Sequence, residues 1–88
     1  MCALPQEKEE PIVVPEDDVS AWRRTVGQNI KEYRESLGVS QEKLARALGL
    51  SVSAVSKWEQ GQNSPSPAYV LALGKIFDCS PRDIFDGI

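Results

Sequence analysis

The chain has no histidine and only two cysteines, Cys2 and Cys79, set far apart in its 88 residues. Without imidazole it lacks the usual acid–base catalyst of neutral pH, and two distant thiols make neither a zinc site nor a disulfide framework. Its six glycines are scattered singly, and no Gly-Lys-Ser or Gly-Lys-Thr phosphate loop occurs. No apolar run approaches the roughly 18 residues of a membrane span. The first residues are acidic, unlike the start of a secretory leader. Asp83 and Asp86 are the nearest approach to paired carboxylates, and their position suits helix capping better than catalysis. Cys79 follows Asp78 just past a predicted helix, where it is expected to pack as a small apolar residue. These absences leave no catalytic residue, metal or cofactor to assign. We therefore expect a cytoplasmic binding protein and not an enzyme.

The net charge of −3 is an average over two unlike parts. Residues 1–21 hold six carboxylates (Glu7, Glu9, Glu10, Glu16, Asp17 and Asp18) against Lys8, a net of −5. Residues 22–88 hold nine Lys and Arg against seven Asp and Glu, a net of +2. A mildly basic body permits nucleic-acid binding without proving it. The acidic stretch also carries Pro5, Pro11 and Pro15, so residues 1–19 read as a solvated, disordered arm. Within it, Ile12, Val13 and Val14 form a short β-prone run that offers a protein partner something to pair with.

Residues 20–88 carry helical spacing throughout, which predicts an all-α domain of five helices. Trp22, Val26, Ile30, Tyr33 and Leu37 recur at steps of three and four, placing them on one inward face. Asp17, Asp18 and Ser20 supply anions and caps at the start, from Asp18 or Ser20, and Gly38 a stop. Ser40 is expected to cap a second helix through Leu48, with Leu44, Ala45 and Leu48 inward and Gly49 after it. Ser51 is expected to cap a third through Gln60, ended by Gly61. Ser66 and Pro67 open a fourth, with Val70, Leu73, Gly74 and Phe77 inward, and Ser80-Pro81-Arg82-Asp83 opens a fifth.

The third helix is the informative one. Turned by about 100° per residue, it puts Ala54, Val55 and Trp58 in one arc and Val52, Ser53, Ser56, Lys57 and Gln60 opposite. That second side is short, polar and sparsely charged, so the backbone can approach a partner closely and offer hydroxyls and one cation. The helix follows its predecessor after the three-residue link Gly49-Leu50-Ser51, which makes the pair a helix-turn-helix suited to the major groove. Val52 can meet a thymine methyl. Gln41 begins the second helix, whose free N–H groups suit a phosphate. Gln62, Asn63 and Ser64, in the loop after Gly61, can approach another, and Lys43 and Gln60 flank these as further backbone contacts.

The stretches Gly38-Val39-Ser40-Gln41-Glu42-Lys43-Leu44-Ala45, Ser53-Ala54-Val55-Ser56-Lys57-Trp58-Glu59-Gln60-Gly61 and Pro65-Ser66 resemble the lambda-repressor-like helix-turn-helix family. This is the group of phage Cro and repressor domains and their xenobiotic-response-element relatives. The resemblance spans roughly residues 24–86 and implies five helices, a sequence-specific site on double-stranded DNA and a two-fold symmetric operator bound by a homodimer. It implies a phosphate contact at Gln41 and base contacts at Val52, Ser53 and Lys57, with Ser51 and Ser56 beside them. It further implies a buried ion pair between Arg34 and Glu59, bracing the first helix against the third. Val52 stands where the family often has a polar residue, and the acidic arm lies outside the family pattern.

The reading is a transcriptional repressor binding a palindromic operator. Two alternatives remain open at this point: an antitoxin whose arm blocks a toxin, and an interaction module that keeps the fold without binding DNA. A C-terminal apolar edge of Ile84, Phe85 and Ile88 is a candidate dimer surface, with completion of the core as the alternative for Ile84 and Phe85.

Overall fold

In the computed structural model, which describes residues 14–85, the first helix starts at Glu16, earlier than Asp18 or Ser20. Helix α1 runs Glu16–Ser36 behind Pro15, whose φ of −59° suits the entry to a helix. No side chain caps this end; Glu16, Asp17 and Asp18 instead lie in the first turn, where their charge favours the positive end of the helix dipole. Residues 16–19, expected in the arm, form the first turn of α1. The rest of the arm, residues 1–13, lies outside the described residues, as do Asp86 and Ile88; Val14 is exposed.

At the other end, Leu37 is not on the inward face. The helix stops at Ser36, Gly38 turns the chain, and the N–H of Val39 returns to the Arg34 carbonyl at 3.0 Å. Leu37 is left 52% exposed, and Val39 packs against the core in its place. Helices α2 (Gln41–Leu48) and α3 (Val52–Glu59) have the expected serine caps. Ser40 Oγ accepts from the Lys43 N–H at 3.1 Å and Ser51 Oγ from the Ala54 N–H at 3.3 Å. Gln60 closes α3 as its cap. Helix α4 is Pro67–Phe77, with Pro67 in its first turn; Ser66 precedes it without a side-chain cap bond. Asp78, with φ of 53°, turns the chain out of α4 where the other breaks use glycine.

The fifth segment is a 3₁₀ helix, Pro81–Phe85, and not an α-helix. Short connecting pieces of this kind commonly take i→i+3 pairing. A reciprocal cap holds the turn: the Ser80 N–H donates to Asp83 Oδ2 at 3.1 Å, and the Arg82 N–H donates to Ser80 Oγ at 3.4 Å. The described residues therefore form four α-helices and one 3₁₀ helix, with no strand.

Every helix contributes to one core. Val26 and Ile30 of α1, Leu44 of α2, Val55 of α3, Leu73 of α4 and Ile84 of the 3₁₀ helix are all completely enclosed. Burying each such side chain contributes about 1.5–3 kcal/mol, which a domain this small needs. Stacked rings tie the ends together, Tyr33 on Phe77 at 5.5 Å and Trp22 on Phe85 at 5.6 Å. Trp58 meets Tyr69 at 5.7 Å. Helix α1 crosses α3 so closely that a Cβ on Gly27 would stand 2.0 Å from the Trp58 carbonyl oxygen. Only glycine allows this crossing, and the crossing sets the pose of α3.

Candidate nucleic-acid interface

Three positions along one side of α1 meet the end of α3. Arg34 lies at one end of the contact, Gly27 at the middle and Arg24 at the other. Arg34 Nε donates to Glu59 Oε2 at 2.7 Å and Nη2 donates to Oε1 at 3.0 Å, a two-pronged grip on the last residue of α3. Its Nη1 donates to the Val39 carbonyl at 2.9 Å. The two side chains keep only 12% and 4% of their exposure. The hydrogen bond to Glu59 raises the Arg34 pKa above its ordinary value, with burial opposing and the Glu59 charge adding to it. The raised value means that the stabilisation linked to the Arg34 charge is complete at neutral pH and is lost as pH climbs through the guanidinium range.

Gln41 joins the same carboxylate. Its Nε2 donates to Glu59 Oε1 at 3.0 Å, and the residue is half-buried. One carboxylate thus ties together α1, the first turn of α2 and the end of α3. The side-chain amide of Gln41 faces this junction through its nitrogen, while the N–H groups of Gln41 and Glu42 have no intrahelical acceptor and that of Lys43 is taken by Ser40 Oγ. Sequence spacing gave no sign of the Gln41–Glu59 bond, because it depends on how α2 and α3 cross.

Beyond the brace lies the outward face of α3. Ser51, Val52, Ser53, Lys57 and Gln60 are exposed and Ser56 is half-buried. Ser51 spends its Oγ on the cap. Ser53 and Lys57 make no side-chain hydrogen bond or ion pair among the described residues. Ser56, Gln60 and Gln62 are linked: Gln62 Nε2 donates to Gln60 Oε1 at 2.8 Å, and Gln60 Nε2 donates to Ser56 Oγ at 3.0 Å. This chain of neutral groups runs from the outward face of α3 to the following loop.

The loop is pinned from below. The Lys57 carbonyl accepts from the N–H of Gln62 at 2.9 Å and of Asn63 at 3.4 Å, holding both residues against the end of α3. Gln62 and Asn63 are exposed, Ser64 is half-buried, and Lys43 is exposed on the first turn of α2. Gly61 makes the turn with φ of 77°, a conformation that side chains disfavour. Arg24 lies directly over it: a Cβ on Gly61 would fall 2.7 Å from Arg24 Cγ and 3.2 Å from its Cα. The sequence reading did not single out Arg24, since nothing in its spacing along α1 marks it.

The remaining chemistry is inert. Burial, and next the charge of Asp83, push the Cys79 thiol pKa up, against a hydrogen bond with Tyr33. The thiol is therefore protonated at neutral pH and packs against the core. Among the described residues no cluster of carboxylates and thiols is arranged to hold a metal. No described helix is long and apolar enough to cross a membrane.

Comparison with known proteins follows the same lines. A helix-turn-helix family model matches residues 30–84. Over 63 residues the chain is 40% identical to the HTH-type transcriptional regulator DicA of Escherichia coli (strain K12), covering 72% of this chain and 47% of that protein. It is similar in structure to the restriction-modification controller protein C.AhdI from Aeromonas hydrophila, with 38% identity and a TM-score of 0.69 over 74% of this chain and 98% of that one. The P22 c2 repressor, solved in complex with a synthetic operator, has 33% identity and a TM-score of 0.66 over 72% of this chain and 96% of that one. The chain spans less than half the length of DicA, and its match covers 29% of the Salmonella phage P22 repressor protein C2.

Proposed function

The chain belongs to the helix-turn-helix family, and on that premise we propose that it is a sequence-specific transcriptional repressor that binds a palindromic operator in double-stranded DNA as a homodimer. The observation that carries this is the face of α3. It is exposed, short and polar, with one unpaired cation at Lys57, and the enclosed Arg34–Glu59 grip fixes its pose. A major groove accepts such a helix, and a rigid one reads bases with little ordering cost. Ser51, Val52, Ser53, Ser56 and Lys57 are the base-reading set. Gln41, Lys43, Gln60, Gln62, Asn63 and Ser64 are the backbone set.

One small domain makes few phosphate contacts, so useful affinity calls for two copies. Ile84 is completely enclosed and does not serve as a dimer surface. An apolar groove lined by Trp22, Pro65, Pro67, Val70, Leu71 and Phe85 is better suited, with Leu71 56% exposed. Selection of bound sequences from a random DNA pool tests the whole reading. It should return two inverted half-sites spaced about 10 bp centre to centre. Failure to enrich any sequence, or one asymmetric half-site bound by a monomer, would reject it in whole or in its symmetry.

The two residue sets carry distinct signatures on the selected site. Lys57→Ala should cost about 1–3 kcal/mol of binding and flatten the preference at one base pair, a guanine by the chemistry of its O6 and N7 acceptors. Gln41→Ala should weaken good and poor sites alike, because the Nε2 proton not given to Glu59 is the one left for a phosphate, and a phosphate contact carries no base information. Its salt dependence should barely move, since an amide releases no counterion. Binding of both variants to a panel of single-base operator changes decides the matter. One common factor across the panel for Lys57→Ala would remove α3 as the reading head.

A further inference from the structure

Residues 16–29 of α1 precede the stretch matched by the family model, 30–84. This extension brings Arg24 across Gly61, at the root of the loop that carries Gln62 and Asn63. Three other arginines are engaged: Arg34 grips Glu59 at 2.7 Å, Arg46 reaches Glu42 at 3.2 Å, and Arg23 lies 3.8 Å from Glu16. Arg24 is exposed and has no hydrogen-bond or ion-pair partner among the described residues. Its stem is held by packing on the Gly61 backbone, so its guanidinium is partly positioned before any ligand arrives. Lys43 at the start of α2 and Lys57 on α3 are likewise without an ion pair.

From this placement we infer that Arg24 is a phosphate-binding residue, reaching a DNA backbone phosphate beside the loop after α3. The inference rests on the DNA-binding reading above and adds a contact from outside the matched stretch. Arg24 Cγ lies against Gly61, the residue that opens the loop carrying Gln62 and Asn63, two amide side chains suited to the same strand. A planar guanidinium without a carboxylate partner is the group best matched to phosphate oxygens. Gly61 is the residue that lets the two backbones come this close, since any side chain there would displace the Arg24 stem.

The test measures binding of the full chain to its selected operator and to an unrelated duplex between 50 and 200 mM salt, for wild type, Arg24→Gln and Arg24→Lys. Arg24→Gln should bind both duplexes about tenfold more weakly near 0.1 M salt, with a salt slope smaller by about 0.9 per bound copy. Arg24→Lys, which keeps the charge, should keep most of the slope. The melting temperature should not change in either. Wild-type affinity and slope in Arg24→Gln would overturn the inference while leaving DNA binding intact. So would a loss confined to the operator, which assigns base reading instead, or a lowered melting temperature that accounts for the lost affinity. A wild-type protein that binds neither duplex at the lowest salt fails one step earlier, at the DNA-binding reading itself.

Discussion

Trp58→Ala is expected to lose about 3–5 kcal/mol of stability, the usual cost of emptying a large aromatic site in a close-packed core. Trp58 is 6% exposed and fills the space between α1, α3 and the Tyr69 ring. Its backbone is also where Gly27 touches α3, so the site has little freedom to collapse around a cavity. A domain of about 70 residues has only roughly 4–11 kcal/mol in total. The variant should therefore be largely unfolded at 37 °C, with a melting temperature lowered by well over 10 °C at about 4–8 °C per kcal/mol. Val52→Ala on the same helix is the control. Val52 is 42% exposed, and its loss should stay within about 0.5 kcal/mol. Circular-dichroism melts of the two variants give the answer. Similar melting temperatures would mean that α3 does not dock through its Trp58 side.

The two faces of α3 differ so sharply because one sequence period separates them, and that is why this part was legible in advance. The capping serines Ser40 and Ser51 and the Pro67 start act within a turn of their own position, so local chemistry was enough to locate three helices. The first helix was harder to bound. Its opening turn, Glu16 to Asp18, is exposed and carries no apolar period, so only Pro15 marks where it begins. Leu37 had the right spacing but stands one residue past the helix end, where Gly38 redirects the chain. The last segment had the right caps, but a cap marks where a helix starts and does not choose between 3₁₀ and α pairing.

At the candidate site, the exposure of Ser53 and Lys57 follows from the same period. What spacing cannot supply is how separate helices cross. The bond from Gln41 to Glu59, the seating of Arg24 over Gly61 and the fit of Gly27 on the Trp58 carbonyl all join elements distant in sequence. The first depends on how α2 and α3 cross, the other two on the angle between α1 and α3. That angle is set in part by a hydrogen atom where any other residue has a carbon.

The same crossing makes Arg34 and Glu59 the other sensitive pair. Glu59 accepts from Arg34 twice and from Gln41 once, while Arg34 also holds the Val39 carbonyl. Arg34→Ala leaves a carboxylate with 4% exposure and one neutral donor, and it strips Val39 of its partner. Glu59→Ala leaves a guanidinium with 12% exposure and frees Gln41. Removing one partner of an enclosed pair costs about 3–5 kcal/mol, because the other charge stays behind without compensation. The Arg34→Met, Glu59→Leu double variant strands no charge, so it should be more stable than either single alanine variant. It should bind DNA less well than its stability suggests, since apolar contact fixes the end of α3 without the direction that two hydrogen bonds impose. Urea melts of the four proteins, with operator binding measured on those that remain folded, separate these effects. Small and equal losses for the two single variants would mean that the pair contributes no more than an exposed one, about 0–1 kcal/mol. The pose of α3 would then rest on Gly27 and Trp58 alone.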